Sequence, residues 1–183
     1  MRAYRTFLAG LLAALASATA PAHACMTQAP LELADIKYAD VVVVGRISNY
    51  AIVRDPTIRQ ELANSPDISP QRRESLENES FLGDYARFDV LVDEVLVGKA
   101  PQTLVVTWDN STFAEPKAMP SGPFLIALRD PRFGTLPLRG PSATILPNPE
   151  PASMTVLQAP CSDPFIFASD SEKARAILQI LHR

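Results

Sequence analysis

The stretch Val41-Val42-Val43-Val44-Gly45-Arg46-Ile47 decides the fold of this sequence. Its β-branched side chains favour an extended backbone, because they pack well on a pleated surface. A short helical stretch, Leu31 to Tyr38, precedes this run. We therefore predict a central β-strand over residues 41–47.

Four further strands are predicted downstream of the central strand. Residues Tyr85 to Val97 alternate between apolar and polar side chains. The apolar phase shifts after Asp93-Glu94 to Val95 and Val97, which indicates a bulge in a long strand. The other strands are predicted at Gln102 to Trp108, Phe124 to Leu128 and Met154 to Gln158. The apolar phases predict that Val43, Phe88, Val90 and Ile126 are buried.

Two irregular segments and a helix complete the chain. The polar residues 54–84 lack enough apolar side chains for a core of their own, so we interpret them as an insert that contains a surface helix from Ser69-Pro70 to Leu76. Residues 130–151 are rich in proline and form an irregular connection. Ser169-Asp170-Ser171-Glu172 is a capping box. It leads into an amphipathic helix whose apolar stripe is Ala174, Ile177, Leu178 and Leu181.

These elements predict a mainly β fold. The chain has 183 residues, of which 47% are hydrophobic and 20% charged, and this is enough for one domain with a substantial core. Five short strands with a C-terminal α-helix packed on them fit a five-stranded OB-like Greek-key barrel. An immunoglobulin-like sandwich would need about seven strands and fits less well.

Residues 1–24 have the pattern of a cleaved signal peptide. Arg2 and Arg5 precede an apolar stretch of Leu and Ala, and Ala22-His23-Ala24 forms a cleavage site before Cys25. We expect an exported domain over residues 25–183, periplasmic or extracellular, without a transmembrane segment. Lipidation of Cys25 is a rival interpretation, but a lipid-attachment box places Leu and a small residue where Ala22 and His23 stand.

The net charge argues against nucleic acid and anionic lipid as partners. The sequence has 17 Lys and Arg and 20 Asp and Glu residues, which gives a charge of −3. Removal of Arg2 and Arg5 makes the exported chain more acidic still. Such a chain lacks the basic surface on which the binding of phosphate groups depends.

The two cysteines predict a disulfide. In an oxidising compartment an even pair is most simply bonded, so Cys25 with Cys161 is the expected bridge. A bridge that closes so long a loop contributes on the order of 4–5 kcal/mol. A catalytic thiol would need a histidine base, and His182 is the only histidine after the cleavage site. Two cysteines and one histidine also cannot form a four-ligand zinc site of the usual type, so we expect no metal of its own and no cofactor.

Two other groups of side chains are candidate sites. Asp89, Asp93 and Glu94 are clustered carboxylates, and a carboxylate-based hydrolase is conceivable on them. Alternation places Asp89 and Asp93 on the outer face of their strand and Glu94 on the other, so we favour a solvated face. Trp108 could lie on a ligand-binding surface of the barrel, but a position in the core or at its rim is favoured.

The order of the motifs resembles the netrin-like module. Cys25 at the mature N-terminus is followed by the valine strand with Gly45-Arg46, and then by Arg87-Phe88-Asp89-Val90 and Val95-Leu96-Val97-Gly98-Lys99. Gly122-Pro123-Phe124-Leu125-Ile126-Ala127-Leu128 and a late Cys161 before a helix complete the series. More specifically, the chain is similar to the N-terminal domain of the tissue inhibitors of metalloproteinases, in a bacterial exported version.

This resemblance implies a protease-binding wedge at Cys25-Met26-Thr27. In the animal inhibitors the mature chain begins Cys-x-Cys, and the amine and carbonyl of its first residue chelate the zinc of the protease. Here Thr27 stands where the second cysteine is expected, so Cys25 corresponds to either member of that pair. If it matches the second, the wedge geometry is lost.

Two functional hypotheses follow. The first is an exported non-catalytic binding or structural module of the cell envelope, in which Cys25 attaches the N-terminus to the barrel. The second is an inhibitor of a zinc metalloendopeptidase that acts through the Cys25 amine and Met26. The expected partner is an exported protein or protease, and no enzymatic activity is expected. The sequence does not indicate an oligomeric state.

Overall fold

The secondary structure is that of a small β-barrel with short helices. In this computed structural model of the chain, residues 28–76, 83–108, 115–120, 122–133, 136–137 and 148–183 are described. The strands are β1 (Val41–Val53), β2 (Tyr85–Val97), β3 (Thr103–Trp108), β4 (Pro123–Arg129), β5 (Met154–Val156) and β6 (Ile166–Ala168). The helices are α1 (Pro56–Ala63), α2 (Pro70–Ser75) and α3 (Glu172–Leu181), and a 3₁₀ helix spans Leu33–Tyr38.

Strands β1 to β5 close into a barrel. The strand order is β1-β2-β3-β5-β4, and β4 pairs with β1 to complete the circle. The pairing of β3 with β5 is parallel, whereas the other pairs in the barrel are antiparallel. With α3 packed against it, this barrel confirms the predicted mainly β fold with a five-stranded OB-like barrel and a C-terminal helix.

The apolar side chains form two layers, one inside the barrel and one under the helices. The inner layer contains the four residues predicted to be buried, and their positions are therefore confirmed. Its buried members are Val41, Val43, Ala86, Phe88, Val90, Val106, Trp108, Phe124, Ile126, Leu128 and Val156. The outer layer consists of Ile36, Val42, Leu125, Ala127, Leu136, Leu157, Ala159, Phe165, Phe167, Ala174 and Ile177. Alternate residues of β1 and β4 point into the two layers, which explains their uninterrupted apolar sequences.

Helix α3 covers the outer layer, and its N-cap is not the residue that the sequence predicts. Its N-cap is Ser171, whose hydroxyl accepts a hydrogen bond from the amide of Ala174 at 3.2 Å. The predicted box would have placed the cap at Ser169. Ala174 and Ile177 are buried as expected, but Leu178 is only partly buried.

The strands differ from the predicted ones most clearly at β1, β5 and β6. β1 continues to Val53 through an irregularity at Asn49, whose φ of 53° lies in the left-handed region. β5 ends at Val156 instead of Gln158. β6 was not predicted, because three residues are too few for a recognisable alternation; it pairs with β4.

The expected bulge in β2 lies at Asp93. Val44 pairs with Glu94 and Gly45 pairs with Val92, so Asp93 is the extra residue. The sequence predicts that the apolar side chains continue at Val95 and Val97 after the bulge, and this prediction is only partly right. Val95 is 39% exposed, whereas Leu96 and Val97 pack against the outer layer.

The insert between β1 and β2 contains one helix that was predicted and one that was not. Helix α2 begins at Pro70 behind the cap Ser69, as expected. Helix α1 was missed, although Asp55 caps it and Pro56 occupies its first position. Arg59 of α1 forms a two-pronged ion pair with the buried Asp84, with distances of 2.6 and 2.8 Å. This pair holds α1 against the residue that precedes β2.

Candidate functional site

Most of the loop between β5 and β6 is buried, although it has no regular structure. The amide of Phe165 donates a hydrogen bond to the carbonyl of Leu157 at 2.9 Å and closes the loop at its base. We call residues 158–164 the Cys161 loop. Every residue from Thr155 to Ser162 is buried. A buried irregular loop needs partners for its backbone polar groups.

A short N-terminal segment supplies some of these partners. We call residues Gln28–Pro30 the N-terminal segment. The amide of Ala29 donates a hydrogen bond to the carbonyl of Cys161 at 2.7 Å. The hydroxyl of Ser162 donates a longer one, of 3.4 Å, to the carbonyl of Pro30. The segment therefore lies along the loop, and Ala29 packs against Cys161.

Cys161 is the one predicted site residue whose position is described. It is 4% exposed, and its φ of 67° is unusual for a residue that is not glycine. Cys25, Met26 and Thr27 lie outside the described residues. The Cys25–Cys161 bridge and the wedge therefore stay predictions.

The other side of the Cys161 loop is bound to the barrel through a buried amide. The indole Nε1 of Trp108 donates to the side-chain oxygen Oε1 of Gln158 at 2.7 Å. The Nε2 of Gln158 donates to the carbonyl of Ser162, also at 2.7 Å. Trp108 lies in the barrel core with 6% of its surface exposed, in agreement with the favoured interpretation.

The outer end of the loop carries a polar cluster. Asp163 accepts a hydrogen bond from Nε2 of Gln28 through Oδ1. Its other oxygen, Oδ2, lies 3.4 Å from Nζ of Lys173 on α3. The Lys173 ammonium also lies 5.6 Å from the centre of the Phe167 ring. Both partners of this ion pair are well exposed, so we assign it little energy of its own.

The carboxylates of β2 are engaged with neighbouring side chains of β1. Asp89 accepts a hydrogen bond from Asn49 at 2.7 Å, and Asp93 forms an ion pair with Arg46 at 2.9 Å. Glu94 is exposed. These contacts give Asp89 and Asp93 structural partners, as expected of polar residues on the outer face of a sheet.

The titratable groups with clear pKa shifts keep their usual ionisation at neutral pH. Burial, followed by the hydrogen bond to Glu150, raises the pKa of Tyr85 to about 12. The hydrogen bonds from Arg132 lower the pKa of Asp130 to about 2. Neither group has a pKa suited to proton transfer near pH 7.

Within the part of the chain that the structure describes, no group of three or more His, Cys, Asp and Glu residues could hold a metal ion. None of the helices described above is long and apolar enough to span a bilayer.

Sequence reasoning missed the residues that hold the N-terminal segment. The sequence predicts Gln158 at the end of a strand, and it gives no signal at Gln28 or Asp163. Their partners are far away in the sequence: Trp108 and Gln158 are separated by 50 positions, and Gln28 and Asp163 by 135. No local pattern signals such contacts.

The chain matches no protein-family model, and it has no match among curated proteins or solved structures.

Proposed function

We propose that this chain is an exported, non-catalytic binding or structural module of the cell envelope. The observation that carries the proposal is the attachment of the N-terminal segment to the Cys161 loop. The hydrogen bond from Ala29 to Cys161 fixes the position of Ala29 against the barrel. Gln28, which precedes Ala29, is exposed. We therefore expect a partner to contact this exposed end of the N-terminal segment.

The engagement of the polar side chains supports a function in binding. Catalysis by carboxylates requires at least one acid or base that is free to exchange a proton with a substrate. Asp89 and Asp93 have structural partners, and Asp84 is paired with Arg59. None of these contacts prepares a reactive group.

The geometry is compatible with the proposed disulfide. Cys25 precedes Gln28 by three residues, and an extended chain of that length reaches at most about 10 Å. Because the N-terminal segment lies against Cys161, this reach suffices for a bridge. Intact-mass analysis of exported protein is expected to give a chain that begins at Cys25, without acyl mass and without an alkylatable thiol. Two reactive thiols under non-reducing conditions would contradict the bridge.

A second candidate function is inhibition of a zinc metalloendopeptidase through Cys25 and Met26. The fixed position of the N-terminal segment favours it, because a wedge held in place loses little entropy on binding. The amine of a processed N-terminus has an ordinary pKa of about 7.7–8.0, so a neutral fraction is available to a metal at neutral pH.

The experiment compares processed protein with protein that carries one additional Ala before Cys25, against a panel of zinc endopeptidases. The wedge predicts that the extension abolishes inhibition without changing the fold, and that Met26→Gly weakens it. Asp89→Ala is the matched control and is expected to have no effect. If the processed form inhibits no protease, the binding or structural function remains. Equal inhibition by both forms would assign the activity to another surface.

A further inference from the structure

We propose that Gln158 is a positioning residue for the N-terminus, because it transmits the rigid position of the barrel core to the N-terminal segment. We use the term relay for the series of hydrogen bonds that connects the two. Trp108 donates to Gln158, and Gln158 donates to Ser162. Cys161 and Ser162 then contact Ala29 and Pro30. The relay operates whichever partner the module binds. Hydrogen bonds would then hold the N-terminal segment in place, in addition to the predicted disulfide.

The orientation of the Gln158 amide is determined by its two partners. An indole nitrogen can only donate a hydrogen bond, so Oε1 must face Trp108. The amide nitrogen then faces the other way, and it donates to the carbonyl of Ser162 at 2.7 Å. Because Gln158 and Ser162 are both buried, water does not readily replace either contact.

Fixing Ser162 also fixes the two groups that hold the N-terminal segment. The carbonyl of the preceding residue, Cys161, accepts the Ala29 amide at 2.7 Å. The hydroxyl of Ser162 itself contacts the carbonyl of Pro30. A rotation of the loop would break both contacts together.

Asp163 provides a second attachment that does not pass through Gln158. It contacts Gln28 at the exposed end of the segment and Lys173 on α3. Solvent competes for these exposed contacts, so they hold the segment more weakly than the buried relay. We therefore expect the buried side to determine the position of Ala29.

Hydrogen exchange of the Ala29 amide tests the relay in the full exported chain. Gln158→Met removes both amide contacts at nearly constant volume, and it is expected to speed the exchange of Ala29 by roughly 5- to 10-fold, as for the loss of one net hydrogen bond. Amides of Val43 and Ile126 in the barrel are expected to accelerate less than the Ala29 amide, because they open only with the barrel. The matched control is Gln179→Met, which changes the same residue type on the exposed side of α3.

Two further variants separate the relay from the disulfide and from general unfolding. Cys25→Ser is expected to leave the Ala29 amide protected to within about twofold, because the relay persists. If Gln158→Met fails to fold, Trp108→Phe tests the relay, because it removes the indole donor to Gln158 and is expected to give a smaller local increase at Ala29.

The proposal is wrong if the Ala29 rate is unchanged in Gln158→Met, or if it rises only together with the barrel amides. It is also wrong if Cys25→Ser alone releases Ala29. These outcomes do not depend on protease inhibition. An absence of inhibition in every variant would bear on the wedge and not on the relay.

Discussion

The two walls of the barrel differ in what covers them. The outer face of β1 and β4 lies under α3 and the 3₁₀ helix, and Val42 and Leu125 on that face are buried. The outer face of β2 at Leu91 and of β3 at Val105 has no such cover among the described residues, and these side chains are 44% and 41% exposed. The sequence of a strand therefore reflects whether its outer face is covered by a helix. Strands with a covered outer face are continuously apolar, whereas strands with an exposed outer face alternate between apolar and polar residues.

The largest expected effect lies on the inner face of the open wall. Phe88 is buried in the barrel and stacks on Tyr50 with ring centres 5.8 Å apart. Phe88→Ala is expected to lower the free energy of unfolding by about 3–5 kcal/mol, measured by chemical denaturation. Phe133→Ala is the control, since Phe133 is 71% exposed and its loss should cost less than about 0.5 kcal/mol. Similar losses for both variants would mean that the inner phase of β2 is misassigned.

The comparison of the two outer faces is tested by a matched pair of leucines. Leu125→Ala on the covered wall is expected to cost about 2–5 kcal/mol, because the helix holds the resulting cavity open. Leu91→Ala removes the same atoms from the open wall and is expected to cost about 0.5 kcal/mol or less. Equal values in denaturant titrations would show that the cover contributes nothing to the burial of Leu125.

The cover itself can be tested from the helix side. Ile177 of α3 is buried in the outer layer, whereas Ile180 on the same helix is only partly buried. Ile177→Ala is expected to lower the free energy of unfolding by an amount at the lower end of the range of about 2–5 kcal/mol. The loss is small for a buried residue because a surface helix can shift to fill part of the cavity. A smaller loss is expected for Ile180→Ala. The reverse order in thermal or chemical unfolding would mean that α3 presents another face to the barrel.

Features with a local pattern were predictable from the sequence. The valines of β1 and the alternation in β2 predict these two barrel strands. The shift of the apolar phase near Asp93 predicts the bulge. Helix α1 also had a local signal, the Asp55-Pro56 pair, which was not recognised. Its Arg59 contacts Asp84 across 25 positions, and this tertiary pair helps to hold the otherwise polar helix in place.

The candidate site was less predictable, because its contacts join distant parts of the chain. The even number of cysteines drew attention to Cys161, but the loop around it was not expected to be buried. The hydrogen bond from Ser162 to Pro30 joins residues 132 positions apart. Periodicity contains no information about such a pairing, which arises only when the barrel brings these two distant residues together.

The smallest expected effect distinguishes two possible starts of the covering helix. Ser171 accepts the Ala174 amide, so Ser171→Ala leaves that amide without its cap and is expected to cost about 1 kcal/mol. Ser169→Ala is the matched control. The hydroxyl of Ser169 is not the cap of α3, and the hydrogen bond from its backbone amide to Pro123 survives the change. Both variants are compared by their unfolding midpoints. A larger loss of stability for Ser169→Ala would mean that Ser169 is the N-cap, as the capping box in the sequence predicts. Helix α3 would then begin two residues earlier.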